Sequence, residues 1–290
     1  MRHKYDDLTR MTRWGLLASF AFSALLIGAS PASAQGAPPL GTAANFSVLA
    51  GSAISNTLAS VVSGNLGVSP ETAISGFPPG IVTPPGQIHS ASLVAAQAQV
   101  DLTAAYVFIE NTPATSDLTG TDLGTLVLPP GVYSFSSSAQ LTGPLVLDAQ
   151  GNADAVFIFK IGSTLTTASG SSVSVINGGS SCNVFWQLGS SGTLGTTTSF
   201  AGNIIAFASV TLNTGASVSG RVLARNGAVT LAGSTVGGCT VGGGGNGGGG
   251  GGGPGDFSNI PTLSEWALGI LIVMTGLVGF GFLRRTSTLK

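Results

Sequence analysis

A short phrase recurs through the second half of the chain, and its spacing restricts the possible folds more than any other feature. Each copy has an apolar run, a turn of small residues and then a Thr-Leu pair. The leucines of successive pairs lie 29, 18 and 19 residues apart, and the long step contains an insertion at 174–182. The pairs are Thr164-Leu165, Thr193-Leu194, Thr211-Leu212 and Thr230-Leu231, with a weaker copy at 139–142.

A period of 18 to 19 residues has room for three short strands and their turns, which is typical of one turn of a β-helix with a triangular cross-section. Alternation along a strand then sends Leu165, Leu212 and Leu231 inward and the neighbouring threonines outward. In stacked coils the outward side chains lie about 4.8 Å apart between strands and about 6.6 Å apart along a strand. The phrase therefore predicts a flat, rigid and uncharged array of hydroxyl and methyl groups.

The first part of the chain carries related coils. Residues 62–66 read like residues 218–222 and 200–204. Between these coils and the Thr-Leu copies lies a stretch without Gly or Pro, in which apolar residues recur at steps of three and four. They are Leu93, Ala96, Val100, Ala104 and Val107. We expect one long helix at about 88–111, starting near His89 and inserted between two sets of strands.

Charge argues against most chemical functions. Charged residues make up 7% of the chain and the net charge is −1, whereas about 25% is typical of soluble domains. Such a chain attracts no nucleic acid by its field, and its exported part carries only Lys160, Arg221 and Arg225 as bases. We therefore expect no nucleic-acid partner. We expect Arg221 and Arg225 to stabilise the fold; binding of a phosphate group by these two residues is the less favoured alternative.

Catalytic and metal-binding residues are sparse. General acid–base catalysis on a polysaccharide needs two carboxylates close to the substrate, and between residues 123 and 240 the only acids are Asp148 and Asp154. A metal loop at these two acids lacks further ligands, so a surface turn is the favoured interpretation. His89 has no evident nucleophile beside it. We expect no enzyme activity, no metal and no cofactor.

Both ends of the chain read as targeting segments. Residues 1–34 combine a basic start, an apolar core and a small-residue cleavage site after Ala34, which predicts a signal peptide; an uncleaved anchor is the alternative. Residues 267–283 form an apolar run of the minimum length for a transmembrane helix. Arg284 and Arg285 follow and place the C-terminus in the cytoplasm.

The motif in front of that apolar run makes the layout resemble the IPTL-CTERM class of bacterial sorting signals. The resemblance implies a sorting transpeptidase of the exosortase type as partner, transient anchoring in the membrane, and display at the cell surface or release. An ordinary single-pass anchor is the alternative. The matching residues of the 260–290 segment are Ile260, Pro261, Thr262, Leu263 and Trp266.

A glycine-rich stretch at 241–259 predicts a flexible linker, which leaves 35–240 as the folded domain. Cys182 and Cys239 fall in the exported part. An even number of cysteines in an oxidising compartment predicts one disulfide between them, with two separate buried thiols as the alternative.

The folded domain as a whole resembles the microbial ice-binding-protein family with the discontinuous β-helix. The segments that carry the resemblance include 40–57, 95–106, 128–143, 155–173 and 212–231. It implies a mainly β fold: a right-handed discontinuous triangular β-helix with one long α-helix packed alongside. It further implies a monomer that adsorbs to an ice crystal surface through one flat face and needs no cofactor.

The residues that the resemblance assigns to the ice-binding face follow from the Thr-Leu strands. A surface adhesin or extracellular matrix module without ice activity is the rival function for the same array. The assigned residues are Thr164, Thr166, Thr193, Thr211, Asn213, Thr230, Ser55, Gln140 and Thr142.

Overall fold

The computed structural model describes residues 36–238, which form two sheets of parallel strands around a common core. The predicted signal peptide, the linker, the sorting motif and the apolar run at 267–283 lie outside these residues. Within them, no helix is long and apolar enough to cross a membrane.

The strands, in chain order, are β1 (Phe46–Ala50), β2 (Ala53–Thr57), β3 (Val61–Ser63), β4 (Asn65–Val68), β5 (Ala73–Ser75), β6 (Ile81–Thr83), β7 (Ile88–Ser90), β8 (Ser116–Asp117), β9 (Val127–Leu128), β10 (Gly131–Phe135), β11 (Ala139–Leu141), β12 (Pro144–Asp148), β13 (Phe157–Ile161), β14 (Leu165–Thr167), β15 (Ser172–Ile176), β16 (Val184–Leu188), β17 (Gly192–Leu194), β18 (Ser199–Ala206), β19 (Val210–Leu212), β20 (Ser217–Ala224), β21 (Val229–Ala232) and β22 (Thr235–Gly237). The α-helix, α1, spans Leu93–Asn111, and 3₁₀ helices span Gly41–Asn45 and Ser181–Asn183.

Stacked coils give the molecule its β-helix architecture. The Thr-Leu strands form a seven-stranded sheet in the order β11-β14-β17-β19-β21-β2-β5, which we call the Thr sheet. The other fifteen strands form the second sheet. The order of the Thr sheet places β2, from the start of the chain, directly beside β21, from its end, so the coils are discontinuous as expected.

One layer of the stack is shared between the two ends of the described chain. β21 and β22 supply one part of it, and β1 supplies another, because β1 pairs with β20 on one side and with β4 on the other. β22 likewise lies between β20 and β3. The last described strands and the first strand therefore complete each other in the interior of the stack.

The side chains that alternation directs inward fill the core. Leu165, Leu212 and Leu231 are buried as expected, in a cluster that runs through all the coils. Aromatic rings stack at its centre: the ring centroids of Phe159 and Trp186 lie 3.8 Å apart and nearly parallel, and Phe200 lies 4.9 Å beyond Trp186. The Trp186 indole donates a hydrogen bond to the Ala201 carbonyl over 3.0 Å, so its polar atom is satisfied inside the core.

Two stacked glycines lie in the middle of the long strands β18 and β20. Gly202 pairs with Gly220 in the ladder between β18 and β20. Both have positive φ, +120° and +151°, which L side chains avoid. A Cβ on Gly220 would meet the Gly202 carbonyl, and one on Gly202 would lie 2.7 Å from the Trp186 indole nitrogen. These two positions therefore admit glycine only.

The helix begins at Leu93, five residues after the predicted start at 88. Residues 88–90 form β7 instead and pair with β4, so His89 lies in a strand, with its ring 5.4 Å from that of Phe46. Ser92 is the N-cap, accepting from the Ala95 N–H over 3.1 Å. The end at Asn111 agrees with the prediction, and Lys160 caps it by donating to the carbonyls of Glu110 and Thr112.

The side of α1 that packs on the coils is not the one that identified the helix in the sequence. A second apolar cluster joins its inner side to Leu49, Ile158, Phe185, Ile205 and Leu223. The buried helix residues are Ala95, Ala98, Leu102, Ala105, Tyr106 and Ile109. Leu93, Val100 and Val107, which gave the helical period, lie on the outer side and are exposed.

Asp101 ties the helix to the first 3₁₀ helix. The hydroxyl and the N–H of Thr42 donate to its carboxylate over 2.6 and 2.7 Å, and they hold the pKa of Asp101 below its ordinary value of 3.8. A carboxyl with a lowered folded pKa stabilises the fold above its unfolded pKa, and this contribution is lost as the pH falls through the folded pKa.

We expect the melting temperature to fall below about pH 4, and Asp101→Asn to reduce that acid dependence. Thermal unfolding measured from about pH 6 to about pH 2 tests this. Thr42→Ala, which removes the hydroxyl donor, should act in the same direction. An acid dependence identical in all three proteins would contradict the assignment.

Cys182 is disulfide-bonded and no described cysteine is free. Cys239, the predicted partner, lies outside the described residues, so the pairing of these two stays a prediction.

Candidate functional site

The Thr sheet aligns one outward residue from each of its strands in a single row, which we call the central rank. Successive strand pairs place these residues directly opposite one another. Seven strands at the usual spacing make a row about 29 Å long. In spatial order the central rank is Gln140, Thr166, Thr193, Thr211, Thr230, Ser55 and Ser75.

The residues before and after each of these threonines point into the core and hold the strand in place. Thr211 lies between Val210 and Leu212, and Thr230 lies between Val229 and Leu231; all four neighbours are fully buried. Because threonine is β-branched, its side chain has few rotamers on such a strand. The four consecutive threonines from β14 to β21 therefore present their hydroxyl and methyl groups in a fixed pattern.

The register differs from the alignment of the Thr-Leu pairs at one coil. Leu165 lies opposite Gly192, and Thr166 lies opposite Thr193, so the first pair is displaced by two residues. A shift of two keeps every side chain on its predicted side of the sheet. The shift moves Thr164 out of the central rank but leaves it on the outer surface.

Thr164 belongs to a second row, two residues before the central rank, which we call the flanking rank. Ladder hydrogen bonds connect its backbone from coil to coil, as in Ala139 N–H to the Thr164 carbonyl. Sequence reasoning overlooked its serines, since they precede the Thr-Leu pairs in turn-like surroundings. The flanking rank is Ser138, Thr164, Ser191, Ser209, Ala228, Ala53 and Ala73.

Hydroxyls in the two ranks are used differently. In the flanking rank, Ser138 and Thr164 bond each other over 2.9 Å, and Ser209 accepts from the Ala228 N–H over 3.1 Å. In the central rank, Ser55 donates to Thr230 over 3.3 Å. The hydroxyls of Thr166, Thr193 and Thr211 form no hydrogen bond with the described part of the chain, so they are available to water.

Two predicted residues lie on the far side of the central rank. Asn213 follows β19 and is half-buried. Thr142 follows β11, and its hydroxyl and N–H donate to Asp122 over 2.8 and 3.1 Å. Burial raises the pKa of Asp122, but hydrogen bonds from Gly124 and Thr142 outweigh it and hold the pKa below its ordinary value. Thr142 thus stands beside a carboxylate at one end of the surface. Neither rank contains a charged residue.

The arginines that suggested phosphate binding have structural partners. Arg221 donates to the Ala44 carbonyl over 2.9 Å and to Asn203 over 2.8 Å, and burial lowers its pKa. Arg225 lies over the Tyr106 ring at 4.6 Å. Asp148 accepts from Gln150 and Asn177 in a turn. Within residues 36–238 no three His, Cys, Asp or Glu side chains are grouped as metal ligands would be.

Comparison with known proteins agrees with this architecture. Residues 48–237 match the ice-binding-like family model, and residues 260–285 match the IPTL-CTERM motif. An ice-binding protein of Nostoc is 54% identical over 74% of this chain and 78% of its own. Ice-binding protein 1 of Shewanella frigidimarina is 36% identical over 69% of this chain, but the match spans only 26% of that protein.

A solved structure shares the fold. The crystal structure of an ice-binding protein from an Antarctic biological consortium has a TM-score of 0.69 and 44% identity. The match covers 71% of this chain and 93% of that one, so the shared domain is nearly all of the solved protein. On the family match, the identity to the Nostoc protein and the shared fold, this chain belongs to the ice-binding-like family.

Proposed function

We propose that this protein adsorbs to ice through the Thr sheet, with the central rank as the main contact. The observation that carries the proposal is the row of four aligned threonines, in which the hydroxyls of Thr166, Thr193 and Thr211 form no hydrogen bond within residues 36–238. The central and flanking ranks contain no charged residue and stand on a packed apolar core. The relatives named above are ice-binding proteins, which supports the same role here.

Adsorption needs order in the surface more than strength in any single contact. Methyl groups of the threonines limit the binding of water in arrangements unlike ice. Their hydroxyls hold water molecules at the regular spacing of the strands. Water held in this way joins the crystal as it grows, and ice bulging between adsorbed molecules then melts at a lower temperature. No covalent step is involved.

The direct test uses a chain of residues 35–240, because the matched region makes up nearly all of the solved relative. We expect thermal hysteresis, faceted ice crystals and inhibition of ice recrystallisation at concentrations where a serum-albumin control has no effect. If all three were absent and the domain bound glycans or cells, the adhesin function would replace this one.

We further propose that the domain is exported and presented outside the cell. The match to the IPTL-CTERM motif supports processing by a sorting transpeptidase. In this proposal the signal peptide at 1–34 directs export, and a membrane helix at 267–283 anchors the chain until it is processed. We also propose that the coils wind as a right-handed β-helix of triangular cross-section, a proposal that the stacking of parallel strands supports. Cleavage near Ala34 and loss of residues 260–290 from the mature protein, measured by mass spectrometry, are the expected results.

A further inference from the structure

The outer side of α1 is largely apolar and exposed, with Gln97, Glu110 and Asn111 as its exposed polar residues. Five of its large hydrophobic side chains are exposed: Leu93 by 90%, Val100 by 62%, Val94 by 49%, Val107 by 43% and Phe108 by 39%. Its inner side is buried against the coils. A contiguous group of exposed apolar side chains marks an interaction surface, so the outer side is expected to pack against a partner.

The spacing on this side is that of a helix-pairing seam. Leu93, Val100 and Val107 recur at seven residues, with Ala96 and Ala104 between them. A coiled coil has apolar residues at both the a and d positions of its heptads; here Leu93, Val100 and Val107 occupy a, and d is occupied by Ala96, Thr103 and Glu110, so the contact depends on one apolar position in each heptad. Small residues between the larger ones allow the two backbones to approach closely. We call Leu93, Val100 and Val107 the outer seam.

We propose that the outer seam is the contact between two copies of this chain, whose α1 helices pack antiparallel about a two-fold axis near Val100. In that arrangement Leu93 faces Val107 of the second copy, Val107 faces its Leu93, and the two Val100 side chains meet. This departs from the monomer expected on family resemblance.

The charges of the helix favour the antiparallel pairing. Glu110 lies in the last turn of α1, at the negative end of its own helix dipole. The first turn of α1 holds no acid that would repel it. The two-fold axis places Glu110 beside the start of the second helix, where the partial charge is positive. Asp101 is turned aside, since its carboxylate is engaged by Thr42 and Gln97.

The same charges argue against a lipid surface as the occupant. Helices that lie on membranes carry lysine and arginine on their polar side, and α1 has none. Of the nearby bases, Lys160 caps the end of the helix and Arg225 stacks on Tyr106.

The ends of the coil stack are also poor places for copies to meet. The nine prolines between residues 40 and 238 all lie in 70–85 and 113–144, the segments of the outermost layers. Proline cannot donate a ladder hydrogen bond, so edges that contain it resist addition of another strand.

The contact is small. A helix of this length is about 28 Å long, and one side of it covers less than the roughly 800 Å² per partner of a standard interface. We therefore expect a weak dimer, favoured where chains are tethered close together at a surface. The seam lies on a helix that packs on the second sheet, so pairing leaves the Thr sheet of each copy free.

Cysteine cross-linking of the 35–240 chain tests both the partner and the orientation. Under mild oxidation, Val100→Cys should form a covalent dimer several-fold faster than the control Val127→Cys, because Val127 is another valine exposed by 62%. Leu93→Cys and Val107→Cys should each cross-link slowly alone, since like residues lie about 21 Å apart across the pair, and quickly when mixed.

Equal rates for Val100→Cys and Val127→Cys would overturn the proposal, as would Leu93→Cys alone matching the mixture. Flotation with phosphatidylcholine vesicles, abolished by Val100→Glu and without any cross-link, would assign the seam to lipid and overturn it too. Ice activity is not a readout of these experiments, so they can fail while the proposed function stands.

Discussion

Replacing Thr211 by tyrosine should remove most of the thermal hysteresis while leaving the fold intact. Thr211 stands in the middle of the central rank, between Thr193 and Thr230. A ring projecting there holds the surface away from the crystal, so neighbouring coils on both sides lose contact as well. Central positions of a flat contact carry most of its energy, and we expect a loss of about tenfold or more in activity at equal concentration.

The matched control is Thr235→Tyr. Thr235 is an exposed threonine on strand β22 of the second sheet, so the same substitution is made away from the Thr sheet. We expect its hysteresis to equal that of the parent, with melting temperatures of both variants close to the parent value. Loss of activity in the control, or full activity in Thr211→Tyr, would refute the placement of the ice contact.

Truncating Trp186 to alanine should be the most damaging core substitution. The indole is fully buried between Phe159 and Phe200 and spans the ladder of aromatic rings. Removing a buried tryptophan costs about 3 to 5 kcal/mol, and the Ala201 carbonyl also loses its hydrogen bond. Chemical denaturation should show a fall in unfolding free energy of about that size.

Trp186→Phe separates the two contributions. It keeps an aromatic ring in the stack but removes the N–H donor, so its loss should be clearly smaller than that of the alanine variant. Similar losses for both variants would mean that the hydrogen bond, and not ring packing, provides most of the stabilisation.

Repetition made much of this fold predictable. Thr193, Thr211 and Thr230 were placed on the outside and their leucines on the inside because a two-residue alternation leaves no other arrangement for a half-buried strand. The weak copy at 139–142 also proved to be a real coil, since Gln140 lies opposite Thr166.

The remaining differences have local causes. Ser75 was missed because its strand contains no Thr-Leu pair, although it continues the central rank beyond Ser55. The start of α1 was placed too early because residues 88–90 contain neither Gly nor Pro, and only pairing with β4 shows that they are a strand. The residues that give the helical period in the sequence lie on the exposed side of α1, because apolar residues occur on both sides of this helix.

The shared layer formed by β1, β21 and β22 sets the order in which this protein can fold. Val48 pairs with Val222, so an interior layer joins residues from opposite ends of the domain. Long-range pairings of this kind slow folding, because a large loop must close before they form. A chain still emerging from an export channel would lack β21 and β22 and would leave the edges of β2 and β19 open. On the export route proposed above, the domain can therefore close only after nearly all of it has been delivered.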